Sequence, residues 1–260
     1  MIEEPYRWVE AIANRREYIE SQLASGSPIV ALTFREGILL FTMSRERQKI
    51  FEIYDRIGLG AIGHPGDLER LRMTSIELAS TEGFARSAHD VSLRRLATYS
   101  LSPALKAAFE QIYGPPYLAR LLFAELGRAG APNLFLRLDY DGSLHTNGGA
   151  FGRAFEEFGV IAGHPAATER MQEFLRGKKH VHADLGAALA LAADAWALGH
   201  MTSDGDAGKE LPPHADIVRH RDELMEDAAF EVAVLEKEHP VPQTWRSIPD
   251  AEVRAHFRGK

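Results

Sequence analysis

Between Pro5 and Ala24 the residues Trp8, Ala11, Ile12, Tyr18, Ile19 and Leu23 recur at spacings of three and four, with Glu and Arg between them. That period predicts an amphipathic helix. Pro5 suits its first turn, where a missing N–H costs nothing, and Gly26 and Pro28 stop it. From Ile29 the pattern becomes continuous. "IVALTF" is followed by the turn "REG" and by "ILLFTM", a hairpin whose strands are apolar on both faces, as in a sheet covered on both sides. A charged turn, "SRERQ", leads into "KIFEIYDRIGLGAIG", where Ile50, Ile53, Tyr54, Ile57 and Leu59 read as two further strands.

The helical period returns at "HPGDLERL", with Leu68, Leu71, Ile76 and Ala79 on one face. "DVSLRRLATYSLSPALKAAFEQIYG" supplies a second helix, with Asp90 as its N-cap. Pro103 falls inside it and predicts a kink or break, since an interior proline costs about 3 kcal/mol. "PYLARLLFAELG", "NLFLRLDYDGSL" and "FGVIAG" are strands, and Asp141-Gly142 is a hairpin turn signal. Helices over 165–176 and 185–201 follow. A polar loop, "TSDGDAGKELPPH", precedes a short helix in "ADIVRHRDELMEDA". "AFEVAVLEK" is a last strand and "IPDAEVRAHF" a terminal helix. Paired helices alternating with groups of strands argue against a doubly wound parallel sheet. They suit two antiparallel sheets stacked face to face with helices outside.

Composition narrows the possibilities. The 260 residues are 45% hydrophobic and 26% charged, enough for a sizeable core. With 30 basic against 37 acidic side chains the net charge is −7, a poor basis for general nucleic-acid binding. There is no cysteine, which removes disulfides, thiolate metal sites and a Cys nucleophile. The N-terminus is too charged for a signal peptide, and no apolar run approaches the roughly 18 residues of a membrane helix. A soluble cytoplasmic protein without membrane association is expected.

Four features invite chemistry. "AIGHPGDLERL" and "IAGHPAATERM" share Gly-His-Pro and a later Glu-Arg, one hundred residues apart. Structurally they are two equivalent strand-to-helix corners; functionally, His64 and His164 could be a metal pair. "HVH" at His180 and His182 would project both rings from one side of a strand, yet no further ligand has telling spacing, and a solvated loop pair is the expected reading. "DGDAGKE" (204–210) lacks the ligand alternation of a calcium loop and the Ser or Thr of a phosphate loop, which leaves surface turn chemistry. Finally, Ser27 follows Gly26 just before a buried strand, where an N-terminal nucleophile would be freed by self-cleavage. Against that, the preceding helix looks retained, and Pro28 removes an N–H where an active site wants a donor.

The ordered series "SPIVALTFREGILLF", "QKIFEIYDRIGLGAIGHPGDLERL", "STEGFARSAHDVSLRRLA", "PPYLARLLFAELG", "LDYDGSL" and "AFEVAVLE" resembles the proteasome core-particle subunits, over about residues 8–248. It is closest to the α-type subunits of bacterial, actinobacterial-type proteasomes. The resemblance implies an α+β fold, a four-layer αββα sandwich of the N-terminal-nucleophile class. One domain would span 1–260, with a gate segment and N-terminal helix over about 1–25 and the sandwich over 26–260.

The same resemblance separates α from β subunits. The β type carries Thr at the place of Ser27, Asp at that of Met43 and Lys at that of Lys49. This chain keeps only the lysine and adds a helix, so it is expected to be non-catalytic, without metal or cofactor. Implied partners are other α subunits in a heptameric ring, β subunits, a ring-shaped ATPase or other activator with a C-terminal docking tail, and protein substrates passing through the pore. Met1, Ile2, Glu3, Glu4, Pro5 and Tyr6 would form the gate, and Lys49 would receive the activator's terminal carboxylate. Local pairing of Lys49 with Glu46 or Glu52 is the bland alternative. A self-processing Ser hydrolase using Ser27, or a ring-forming homologue without β partners, are the alternative functions. The link over 203–227 is longer than usual for the family.

Overall fold

The computed structural model describes residues 5–44, 48–111, 113–128, 130–146, 156–203, 206, 208–237 and 244–258. Two five-stranded antiparallel sheets form the centre. The first contains β1 (Ile29–Phe34), β2 (Gly37–Ser44), β8 (Phe158–Ile161), β9 (Ala229–Glu236) and β10 (Trp245–Ile248), in the order β10-β9-β2-β1-β8. The second contains β3 (Ile50–Tyr54), β4 (Ile57–Gly63), β5 (Ala119–Glu125), β6 (Leu134–Asp139) and β7 (Leu144–Thr146), in sequence order.

Side-chain alternation builds three cores from these strands. On β1, Val30, Leu32 and Phe34 face outward and pack with Leu189, Ala193 and Trp196 of α6 (Leu185–Met201). Ile29 and Ala31 face inward and meet Leu122 and Phe135 of the other sheet. Both faces are buried, which explains the unbroken apolar runs. α5 (Pro165–Leu175) and α8 (Asp250–Arg258) complete the layer on the first sheet. α2 (Pro65–Ala85), α3 (Leu93–Leu96) and α4 (Ser102–Glu110) cover the second through Leu68, Leu71, Leu93 and Leu105. The result is the expected four-layer αββα sandwich.

α1 (Pro5–Leu23) lies at one end, with Ile19 and Leu23 inserted into the core between the sheets. α7 (His214–Met225) is an additional helix on α6, within the long link noted above. No helix among the described residues is long and apolar enough to cross a membrane.

Several local expectations change. Pro103 causes no break: a π-helical turn over Ala97–Leu101 intervenes, and α4 starts at Ser102, so the proline sits in a first turn. Asp90 lies ahead of α3, and Ser92 occupies the N-cap position. β10 was not foreseen; it pairs with β9 (Trp245↔Leu235, Ile248↔Val232) through a segment too short and mixed to show a period. The two Gly-His-Pro corners are structurally equivalent, since His64 and His164 are the N-cap residues of α2 and α5 with Pro at the first turn of each. His180 is neither in a strand nor solvated. It is buried, with Nδ1 2.8 Å from the carbonyl oxygen of Thr33, whereas His182 is exposed.

Candidate functional site

The end of the sandwich where α1 meets β1 carries a groove of ≈ 760 Å³, lined among others by Ser25, Gly26, Gln48, Lys49, Gly63 and Glu69. Local backbone rules bring these residues together. The N–H of Gly26 donates to the carbonyl of Leu23 at 2.8 Å and closes α1. A Cβ at Gly26 would lie 2.1 Å from Cγ2 of Ile62, so only glycine lets the helix end approach β4 this closely. Pro28 then turns the chain into β1, and its carbonyl accepts from Thr42 Oγ1 at 2.7 Å.

Lys49 is the ionisable centre of the groove. Its Nζ donates to Ser27 Oγ. Its backbone N–H donates to both carboxylate oxygens of Glu231 on β9, at 2.9 Å each, and the N–H of Ile50 donates to the same carboxylate at 2.6 Å. Glu231 therefore fixes the main chain of Lys49, not its ammonium. Burial lowers the pKa of Lys49, and the charge of Glu231 offsets this only in part. Burial likewise raises that of Glu231, against the two backbone donors and Lys49. Among the described residues no carboxylate forms an ion pair with Nζ. Glu52 is thus not its partner, and Glu46 lies outside the described residues.

The arrangement cannot run N-terminal-nucleophile chemistry. Ser27 has no free α-amine, and the peptide bond before it joins a helix whose Ile19 and Leu23 are 0% and 1% exposed in the inter-sheet core. Removing that helix would expose two side chains worth about 1.5–3 kcal/mol each. Met43, at the place of the acid, is buried among apolar residues on the opposite face of its sheet from the inter-sheet core. Among the described residues, the hydrogen-bond partner of the Lys49 ammonium is Ser27.

Of the residues expected to form a gate, Met1, Ile2, Glu3 and Glu4 lie outside the described residues, and Pro5 and Tyr6 lie in the first turn of α1. Two residues at this end were missed. Glu231 is one. Arg120 on β5 is the other: only 4% exposed, it donates to Glu20, Asp139 and the carbonyls of Ala162 and Gly163. A charge near the start of an apolar strand, apart from the glutamate that ends it, as in "ARLLFAE" and "AFEVAVLE", is the signal that could have found both.

Elsewhere the loop over 204–210 is tied to α5, where Arg170 donates to the carbonyls of Asp206 and Glu210 at 3.1 and 3.2 Å. Asp206 accepts from the backbone and hydroxyl of Ser203 and from Lys209, bonds that hold its carboxyl well below the ordinary range. Among the described residues no group of three or more His, Cys, Asp or Glu could hold a metal.

Comparison with known proteins agrees with this geometry. A family model described as "Proteasome subunit" matches residues 23–173. "Proteasome subunit alpha" of Mycobacterium sp. (strain KMS) is 31% identical over 236 residues, covering 89% of this chain and 82% of that protein. The proteins of the same name from Rhodococcus erythropolis (strain PR4 / NBRC 100887) and Rhodococcus opacus (strain B4) are 30% and 29% identical over 235 residues. They are covered over 83% and 80% of their lengths. The apolar Met43, the retained N-terminal helix and these matches lead to one conclusion: the chain belongs to the proteasome subunit family, as a non-catalytic member of its α type.

Proposed function

We propose that this chain forms the outer, heptameric ring of a bacterial proteasome core particle in the cytoplasm, encloses β subunits, and controls the entry of protein substrates. Residues 26–260 act as one structural unit, and the residues ahead of and including the first turn of α1, Met1–Tyr6, act as the gate. Lys49 receives the C-terminal carboxylate of a ring-shaped ATPase or similar activator.

The observation that carries the docking role is the state of the Lys49 ammonium. It sits partly desolvated in an open groove, held by a neutral hydroxyl and by no acid among the described residues. A cation so placed gains most from an incoming carboxylate, since a charge-assisted bond is roughly twice as strong as a neutral one. The carboxylate replaces Ser27 as the acceptor, and Glu231 keeps the lysine backbone in place meanwhile. Ser27 lies one residue from Pro28 and four from the last residue of α1. A tail bound at Lys49 therefore acts directly on the joint between gate helix and sheet.

The test uses particles assembled from this chain and its β partner, with Lys49→Ala beside wild type. The variant is expected to keep basal peptide hydrolysis and to lose activator-stimulated degradation. Full stimulation of Lys49→Ala removes the docking assignment.

A further inference from the structure

The helix within the long link, α7, is held by apolar packing of Ile217, Leu224 and Met225 and by two polar attachments to α6. Ile217 is 1% exposed in the core beneath it. Asp194, buried in the middle of α6, accepts from His214 Nε2 at 3.0 Å and from Arg221 Nη1 at 2.7 Å. The third contact differs in kind. In the last turn of α6, His200 Nδ1 lies 3.1 Å from His220 Nε2 of α7, and the His200 ring stacks on Trp196 at 4.9 Å and 16°.

We infer that His200 and His220 form a two-imidazole site for a divalent transition metal of the Zn²⁺ type, with water completing the coordination, and that the bound ion staples α7 to α6. The distance is the first argument. Two nitrogens bonded to one tetrahedral ion at about 2.0–2.1 Å stand about 3.3 Å apart, so the ion needs an adjustment of only about 0.2 Å. The proton inventory is the second. In the empty pair one ring donates to the other; moving that proton to the distal nitrogen of its own ring turns both facing lone pairs outward to the metal, with no net proton lost.

Orientation is the third argument: stacking on Trp196 holds the His200 ring, so little rotamer freedom is lost on binding. On these helices Asp194 already bonds to His214 and Arg221, and Asp216 to Arg219. Two nitrogen ligands select borderline ions such as Zn²⁺ or Cu²⁺ over the oxygen-seeking Mg²⁺ and Ca²⁺. α7 ends three residues before β9, the strand that carries Glu231. The staple thus steadies the link leading into the strand that positions Lys49.

Isothermal titration of the full chain with ZnCl₂ near neutral pH tests this, using wild type, His200→Ala, His220→Ala and, as a control, His182→Ala. Circular dichroism confirms that each variant is folded, and His220→Gln replaces any that is not. Wild type and the control are expected to bind one ion that both site variants bind at least about ten-fold more weakly. The ion is also expected to raise the melting temperature of wild type and not that of the site variants. Unchanged stoichiometry and affinity in the site variants, or the absence of saturable binding by wild type, overturns the inference.

Discussion

Glu20 and Arg120, one hundred positions apart, share two hydrogen bonds of 3.0 and 3.2 Å that tie the N-terminal helix to the second sheet. The same guanidinium donates to Asp139 at 2.6 Å and to two carbonyls of the corner before α5. Tyr140 adds its hydroxyl to Glu20 at 2.7 Å. The N-terminal helix is therefore fixed by a buried cation as well as by Ile19 and Leu23. Arg120→Met is expected to lose about 3 kcal/mol in urea unfolding, the low end for breaking a buried pair, because Arg137 still partners Asp139. Glu20→Gln should cost less and show faster hydrogen exchange across α1 before the rest of the molecule.

Lys49 gives the molecule a pH signature. Its folded-state pKa is lowered, chiefly by burial, so the folded protein disfavours the charged form. The cost is fully present below the depressed value and disappears as pH rises towards the unfolded value near 10.5, a window in which the unfolded chain binds more protons. Wild type should gain stability through that window relative to Lys49→Met, which lacks the titrating group. Parallel pH–stability curves for the two proteins would contradict it.

Gly142 adopts φ +79°, and a Cβ there would lie 2.5 Å from the carbonyl oxygen of Ser102. That serine in turn donates to the carbonyl of Gly142 at 2.6 Å, joining the β6–β7 turn to the start of α4. Gly142→Ala should destabilise by more than about 1 kcal/mol, the usual cost of left-handed backbone, because the clash adds to it. Thermal unfolding with Gly130→Ala alongside is informative, since Gly130 shares a positive φ but meets nothing within 4 Å.

On α1, Trp8 and Tyr18 are 44% and 52% exposed. Trp8 continues towards the N-terminus the stripe that Ile12, Ile19 and Leu23 bury further along, and Tyr18 lies beside that stripe, so both present apolar surface to a neighbouring subunit. Trp8→Glu with Tyr18→Glu should leave the monomer's melting temperature close to wild type and shift native mass from rings to smaller species. Rings that persist in the double variant would place the ring contact elsewhere.

How far the sequence could be read depended on what each residue touches. The unbroken apolar run of β1 is legible because both faces are covered, and Asp141-Gly142 because its turn chemistry is local. The αββα layering follows from those runs and from the paired helices. Lys49 could be singled out only by resemblance; its hold by Glu231 joins residues 182 apart and leaves no local trace. His180 was misjudged because its partner, the Thr33 carbonyl, is 147 residues away. Pro103 was misjudged because a π-turn can absorb a proline that an ideal helix cannot.

Ser27 is a joint between the N-terminal helix and β1 and not a nucleophile. Intact-mass measurement of the chain taken from assembled particles tests it most directly. The mass of a chain uncut between Gly26 and Ser27 is predicted, with the helix bearing Ile19 and Leu23 still attached. A mature chain that begins at Ser27 would contradict the account.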